Sequence, residues 1–287
     1  MPGVEDKVVI VTGAGGGLGR EYAKFLAAEG ALVVVNDLGG ARDGSGAGSE
    51  MADGVVAEIT EAGGRAVANY DSVATPEGAA AIVQTALDAF GAVHGVVSNA
   101  GILRDTSFVK MTDEQWNAVI SVHLHGGYNI IHAAWPHFRE QNFGRIVVAT
   151  STSGLYGNFG QANYGAAKMG LVGLINTLAI EGAKKNITAN AVAPIAATRM
   201  TEDIAPKEFL DKLPPEYVAP VVGYLMTEEC SDTGDVFVVG GGSVQRVQQF
   251  ANKGASFAAP PTAAELAARW SEVVDMAGAE PGTNPVG

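Results

Sequence analysis

Ser151, Tyr164 and Lys168 have the types and the spacing of a proton-transfer set. Tyr164 and Lys168 stand at i and i+4, so a helix puts them on one face, one turn apart. A free phenol, with a pKa near ~10, is a poor base at neutral pH. A fixed ammonium beside it favours the phenolate, and lowering that pKa by about two to three units takes roughly 3–4 kcal/mol. Ser151 follows the apolar run Arg145–Thr150, which reads as a buried strand. At the strand end its hydroxyl can hydrogen-bond the oxygen whose proton Tyr164 handles. A Tyr-x-x-x-Lys pair alone is equally an aromatic body and a solvated lysine on any amphipathic helix. Its weight here comes from Ser151 and from the N-terminus.

Lys7–Thr12 is a short apolar run of the kind that forms a buried parallel strand. It enters a glycine loop containing Gly13, Gly17, Leu18 and Gly19, and a helical pattern through Tyr22, Phe25 and Leu26 follows. Strand, glycine loop and helix together suit a dinucleotide pyrophosphate: the backbone comes close, and the helix N-terminus offers free N–H groups. Ala31–Asn36 is the second strand, with Asp37 at its C-terminal end. A carboxylate there can accept from both ribose hydroxyls of an adenosine and repels a 2′-phosphate, which favours NAD over NADP. Arg42, in the glycine-rich loop Leu38–Ser49, is the residue in reach of such a phosphate.

Alternating strands and helices continue along the chain. Asp71 and Ser72 end the third strand, where they face an adenine or cap a helix, and Thr75-Pro76 opens the next helix. Val93–Ser98 is a fourth strand, closed by Asn99, Ala100 and Gly101, small residues that can floor a cofactor pocket. Thr112–Gln115 reads as a capping box opening one long helix to about His137. Gln161–Lys184 reads as the helix carrying Tyr164 and Lys168. Residues 195–213 read as an irregular lid, Pro215–Thr227 as a helix and Asp235–Val239 as the last strand. The pattern implies a single Rossmann-type α/β domain over 1–243, a doubly wound parallel sheet with helices on both faces. Residues 244–287 form a C-terminal extension with one short helix, which Thr262 and Glu265 cap.

The net charge of −13 argues against nucleic acid or an anionic membrane as partner. One cysteine, Cys230, excludes an internal disulfide and Cys-rich metal sites, and no metal is expected. Neither a signal peptide nor an apolar run of membrane-spanning length is visible, so a soluble cytoplasmic protein is expected.

Thr12-Gly-x-x-x-Gly17-x-Gly19, Asp71, Asn99-Ala-Gly101, Ser151 and Tyr164-x-x-x-Lys168 together resemble the short-chain dehydrogenase/reductase family over residues 5–243. Within it, Val34–Gly40, Asn99–Asp105, Leu155–Tyr164 and Pro215–Pro220 resemble the (3R)-hydroxyacyl-CoA dehydrogenase units of multifunctional enzymes of type 2. The resemblance implies NAD-dependent oxidation of a 3-hydroxyacyl thioester. It makes Tyr164 the base, gives Lys168 the nicotinamide ribose and the lowering of the tyrosine pKa, and gives Ser151 the substrate oxygen. The wider family has Asn where this chain has His123, holding a water for the proton relay; His123 is either a support of that kind or a packed, satisfied residue. The glycine usual after Pro194 is Ile195 here, which alters how that loop meets a nicotinamide. The resemblance also implies a homodimer or tetramer. A non-catalytic nucleotide-binding protein would be expected to have lost Tyr164 or Lys168. A steroid or other secondary alcohol is the alternative substrate.

Overall fold

The computed structural model describes residues 3–197, 208 and 211–284. Its frame is a sheet whose central strands are buried on both faces. In β1 (Val8–Thr12) and β2 (Leu32–Asn36) every residue is buried, as β-branched runs with no polar alternation require. With β3 (Arg65–Asn69), β4 (Gly95–Ser98), β5 (Gly144–Ala149), β6 (Ile187–Pro194), β7 (Val236–Gly240) and β8 (Ser243–Val247), the order is β3-β2-β1-β4-β5-β6-β7-β8. The pairs from β3 to β7 are all parallel. The order reverses beside β1, so the C-terminal ends of β1 and β4 border the crevice where such sheets take ligands.

Period-two alternation divides the strands between two helical layers. Val9, Val11, Val33, Val35, Val97, Val147 and Val192 point into one core. Tyr22 and Leu26 of α1 (Gly17–Ala28) and Val55 and Ile59 of α2 (Glu50–Glu61) cover it. On the other face lie α3 (Pro76–Phe90), α4 (Asp113–Ile120) and α5 (Gly126–Gln141), and after α6 (Thr152–Tyr156) comes α7 (Ala162–Gly182). Local signals set several ends. Thr75 accepts from the Gly78 amide with Pro76 at the first helical position, and Thr112 and Gln115 complete a capping box. Asn142 and Asn186 close helical segments with φ of 54° and 51°.

The single long helix expected from Thr112 to about His137 is instead interrupted. A π turn at Ser121–His125 separates α4 from α5, which runs on to Gln141. Close packing explains where the path is fixed. A side chain on Gly126 or Gly127 would overlap Val73 or Leu171, so the helix is held against its neighbours at that point. The expected helix at 215–227 is a 3₁₀ turn, Pro215–Tyr217, followed by α8 (Ala219–Leu225). Most of the lid read at 195–213 lies outside the described residues.

Beyond the expected last strand, β8 follows β7 through Gly241 and Gly242, both with positive φ. A two-residue connection of that kind makes the pair a hairpin, which glycine's tolerance of positive φ permits. One compact unit of the chain runs to Arg246. Residues 247–287 form a second compact unit. It holds two short helices, α9 (Ala263–Ala268) and α10 (Trp270–Val274), where one was expected, and a two-stranded ribbon of β9 (Phe250–Ala251) and β10 (Glu280–Pro281). The capping box at Thr262 and Glu265 is present.

At the sheet end away from the crevice, Arg145 is 1% exposed and sits inside β5. Its guanidinium donates to the carbonyls of Thr227 (2.8 Å), Gly144 (3.0 Å) and Asn186 (2.9 Å) and lies 4.2 Å from the Phe143 ring centroid. Burial pulls its pKa down, but the ring of acceptors keeps a buried cation tolerable. Replacing Arg145 with Met orphans those carbonyls, and urea unfolding should show a loss of about 3 kcal/mol.

Candidate active site

The glycine loop and the end of β4 are held together by atoms of Thr12 and Asn99. The Thr12 hydroxyl accepts from the amides of Asn99 (3.0 Å) and Ala100 (3.1 Å). The Asn99 side-chain amide donates to the carbonyls of Thr12 and Gly13, both at 3.2 Å. Gly13 has φ of 65°, and a Cβ on Gly19 would overlap the Gly13 carbonyl, so both are glycine of necessity. The result is a crevice of about 350 Å³ at the strand ends.

Of the nucleotide-binding residues expected from sequence, Gly13, Gly17, Leu18 and Asp37 line this crevice on one side. Asp71, Ser72, Asn99, Ala100 and Gly101 line it elsewhere. Gly19 does not; it lies behind Gly13 as the tight-packing residue. The Asp37 carboxylate accepts from the amides of Gly15 (2.8 Å) and Gly39 (2.7 Å), one on each oxygen, so each oxygen retains a lone pair for a further donor. Asp71 accepts from Asn69 at 2.8 Å and Ser72 from the Ala74 amide at 3.2 Å, both holding the turn after β3. The Leu38–Ser49 loop is folded back on itself and pinned to the Ile102–Arg104 stretch. Leu103 donates to the Arg42 carbonyl at 3.0 Å, and Arg104 to the Asp43 carbonyl at 3.1 Å.

Ser151, Tyr164 and Lys168 come together beside this floor. Ser151 caps the start of α6 at the end of β5, where its hydroxyl accepts from the Ser153 amide at 3.1 Å. Lys168 is 3% exposed, donates to the Ala149 carbonyl at 2.6 Å, and lies 5.5 Å from the Tyr164 ring centroid. The expected depression of the tyrosine pKa is not found in this structure: burial pushes Tyr164 up to about 12, and the Ser151 hydroxyl offsets only part of that. Burial likewise brings Lys168 down to about 7. The cause is common to both: removal from water disfavours each charged form, and the ammonium is directed at a backbone carbonyl and at the ring rather than at the phenolic oxygen.

His123 lies against Tyr164, packed but with one ring nitrogen unpartnered among the described residues. It is 3% exposed in the π turn, and burial brings its pKa down to about 3, hence neutral. Its Nε2 lies 3.0 Å from the Ile102 amide and 2.8 Å from the Ile102 carbonyl, and Nδ1 has no partner among the described residues. The ring meets Tyr164 edge-on, centroids 5.1 Å apart. A π turn at a site of this kind re-aims one side chain, and here it aims His123 under the tyrosine. Sequence reasoning missed Asn163, wholly buried, whose side chain accepts from the Tyr164 amide at 2.8 Å and donates to the carbonyls of Arg104 and Gln115 at 3.2 Å. Its position beside Tyr164 was the available signal, but its partners are 48 and 59 residues away.

A parallel sheet of this order, with a glycine-walled crevice and Ser, Tyr and Lys at its edge, defines an oxidoreductase acting on CH–OH groups. Residues 7–208 match the short chain dehydrogenase family, and the chain belongs to it. It is 72% identical over 280 residues to a Mycobacterium tuberculosis protein named as a short-chain type dehydrogenase/reductase, covering 98% of each. It is 51% identical over 278 residues to the peroxisomal multifunctional enzyme type 2 of Mus musculus, covering 96% of this chain but 37% of that one. A solved 7α-hydroxysteroid dehydrogenase, complexed with NADH and 7-oxo glycochenodeoxycholic acid, superposes with a TM-score of 0.75 at 26% identity, over 84% of this chain and 96% of its own. The family and that complex support a nicotinamide nucleotide as the cofactor.

Gly101 has no room for a side chain, because a Cβ there would overlap the His123 ring. Gly101→Ala should force the imidazole toward Tyr164, lowering stability by about 1–3 kcal/mol in thermal unfolding and turnover by about tenfold.

Proposed function

We propose that this protein is an NAD-dependent dehydrogenase that oxidises a (3R)-hydroxyacyl-CoA to the 3-oxoacyl-CoA. The supporting observation is Lys168 set 5.5 Å from the Tyr164 ring centroid, with Ser151 at the end of β5 and His123 linking Tyr164 to the Asn99–Gly101 floor of the crevice. The thioester class follows from the extent of the likeness to the multifunctional enzyme, which spans nearly this whole chain. NAD follows from Asp37, whose carboxylate takes ribose hydroxyls and repels a 2′-phosphate.

When bound, the nicotinamide supplies the hydride acceptor. The protein's own residues handle the proton. Ser151 holds the substrate oxygen; Tyr164 takes the hydroxyl proton as the C–H hydrogen leaves with its electron pair, and the ketone forms. Lys168, beside the phenol, would hold the nicotinamide ribose once the cofactor is bound. In the reverse direction the phenol returns the proton, so one site serves oxidation and reduction. His123, neutral and engaged with Ile102, supports the floor rather than carrying a proton.

The exposed stripe Ala166, Gly173 and Ile180 on α7, with Tyr128 and His132 stacked on α5, suits a helix-to-helix homodimer, and a tetramer is its extension. A cytoplasmic location fits the one buried cysteine. No helix among the described residues is long and apolar enough to cross a membrane.

NADH formation from NAD with (3R)- and (3S)-hydroxybutyryl-CoA and a steroid alcohol tests the substrate. Turnover of the R thioester alone is expected, and steroid turnover without thioester turnover would move the protein to a steroid dehydrogenase. Tyr164→Phe should lower kcat at least about a thousandfold with NADH binding retained. Oxidation needs Tyr164 deprotonated, so its rate should climb as pH rises toward the tyrosine's high pKa, while ketone reduction falls. Asp37→Ala should raise the KM for NAD about tenfold and improve the NADP/NAD ratio.

A further inference from the structure

Three residues of one loop hold the start of the tyrosine helix. The Arg104 carbonyl accepts from Asn163 (3.2 Å), Asp105 Oδ2 accepts from Gln161 Nε2 (2.7 Å), and the Thr106 amide donates to the Gly160 carbonyl (2.9 Å). The residues gripped, 160, 161 and 163, immediately precede Tyr164. They also end a loop that turns at Gly157 and Gly160, with φ of 83° and 81°, positions with little conformational restraint of their own. Gln161 passes the grip on, because its Oε1 accepts from Asn158 at 3.1 Å. Neither Asp nor Glu occupies the first turn of α7, and Gln161 makes no side-chain cap. Asp105 therefore brings a negative charge from another segment to a helix N-terminus that lacks one.

We propose that Asp105 is a positioning residue for Tyr164: through Gln161 it fixes the 157–161 loop and the first turn of α7, and its charge adds a secondary influence on how proton transfer answers to pH. The proposal rests on Tyr164 being the proton carrier. Among the described residues, four groups bear on the Tyr164 phenol. Lys168 approaches from its own helix, neutral His123 from the π turn, the Ser151 hydroxyl from the end of β5, and Asp105 from the loop. Arg104 beside it is already bonded to Glu114 at 3.0 Å, so that pair brings little net charge. Burial is the main cause of the raised tyrosine pKa, and of these groups Asp105 is the one whose charge adds to it in the same direction.

Charge and geometry separate in two variants. Asp105→Asn keeps an oxygen to accept from Gln161 but removes the charge; Asp105→Ala removes both. With (3R)-hydroxybutyryl-CoA and NAD, Asp105→Asn should oxidise about threefold faster than the wild type at pH values below the alkaline plateau, with the plateau kcat unchanged. Asp105→Ala should show the same displacement to lower pH together with a plateau about tenfold lower, and Gln161→Ala should lower the plateau without the displacement. Ultraviolet difference titration of the phenol, with Tyr164→Phe as the blank, reads the charge effect without any substrate, so it stands even if the thioester is the wrong substrate. An unmoved titration in Asp105→Asn overturns the electrostatic half. A full plateau in both Asp105→Ala and Gln161→Ala overturns the positioning half. If Asp105→Ala is poorly folded by its melting temperature, Asp105→Asn and Gln161→Ala decide alone.

Discussion

Everything at the site depends on a cation being kept where water does not reach. Lys168 has given up hydration for one strong hydrogen bond to the Ala149 carbonyl and for the face of the Tyr164 ring. Such an arrangement is stable only if the surrounding backbone cannot relax, because a buried ammonium with a weakened partner loses far more than an exposed one. The neighbours answer that demand. Thr150 hydrogen-bonds the Lys168 carbonyl at 2.9 Å, Ser151 starts the next helix, and β5 is buried along its whole length. The same dryness that lowers the lysine raises the phenol, so burial works against the charged form of both groups. Chemistry at this site is therefore a matter of which further charges and dipoles are brought against them.

The carrying frame was legible because each part of it has a local cause. Buried strands need unbroken β-branched runs, and β1, β2, β4 and β5 have them. The glycine loop needs positive φ or close approach, and Gly13 and Gly17 supply the first while Gly15 and Gly19 supply the second. The i to i+4 spacing of Tyr164 and Lys168 likewise fixed their shared face. What the sequence hid are effects settled by tertiary neighbours. The upward displacement of the tyrosine depends on burial that no spacing reveals. Asn163 draws its meaning from carbonyls on two distant segments, and a polar residue in a helix ordinarily faces solvent. The break in the 112–137 helix left no proline or turn signal at 121–125, since a π turn is an insertion in register rather than a change in composition. The strand β8 was missed because exposed residues in Ser243–Val247 carry no buried face to recognise.

Two parts of the site are also held by different kinds of bond. On the nucleotide side, the Thr12 hydroxyl and the Asn99 amide tie backbone to backbone through short side chains with little freedom. At the start of the tyrosine helix, the ties run through Gln161, Asp105 and Arg104, longer and more exposed side chains.

The π turn carries an evolutionary consequence. An α-helix advances about 100° per residue, so the one extra residue rotates everything after it by that amount relative to α4. Deleting a single residue between Ser121 and His125 would restore a regular helix and turn α5 about its axis. Asn129, which donates to the Val73 carbonyl at 3.0 Å, and Ile130, which is fully buried, would leave their places together. Substitutions along this stretch can accumulate one at a time, whereas a change of length cannot. Among descendants of such a chain, the number of residues between Thr112 and Gln141 should hold steady while their identities drift.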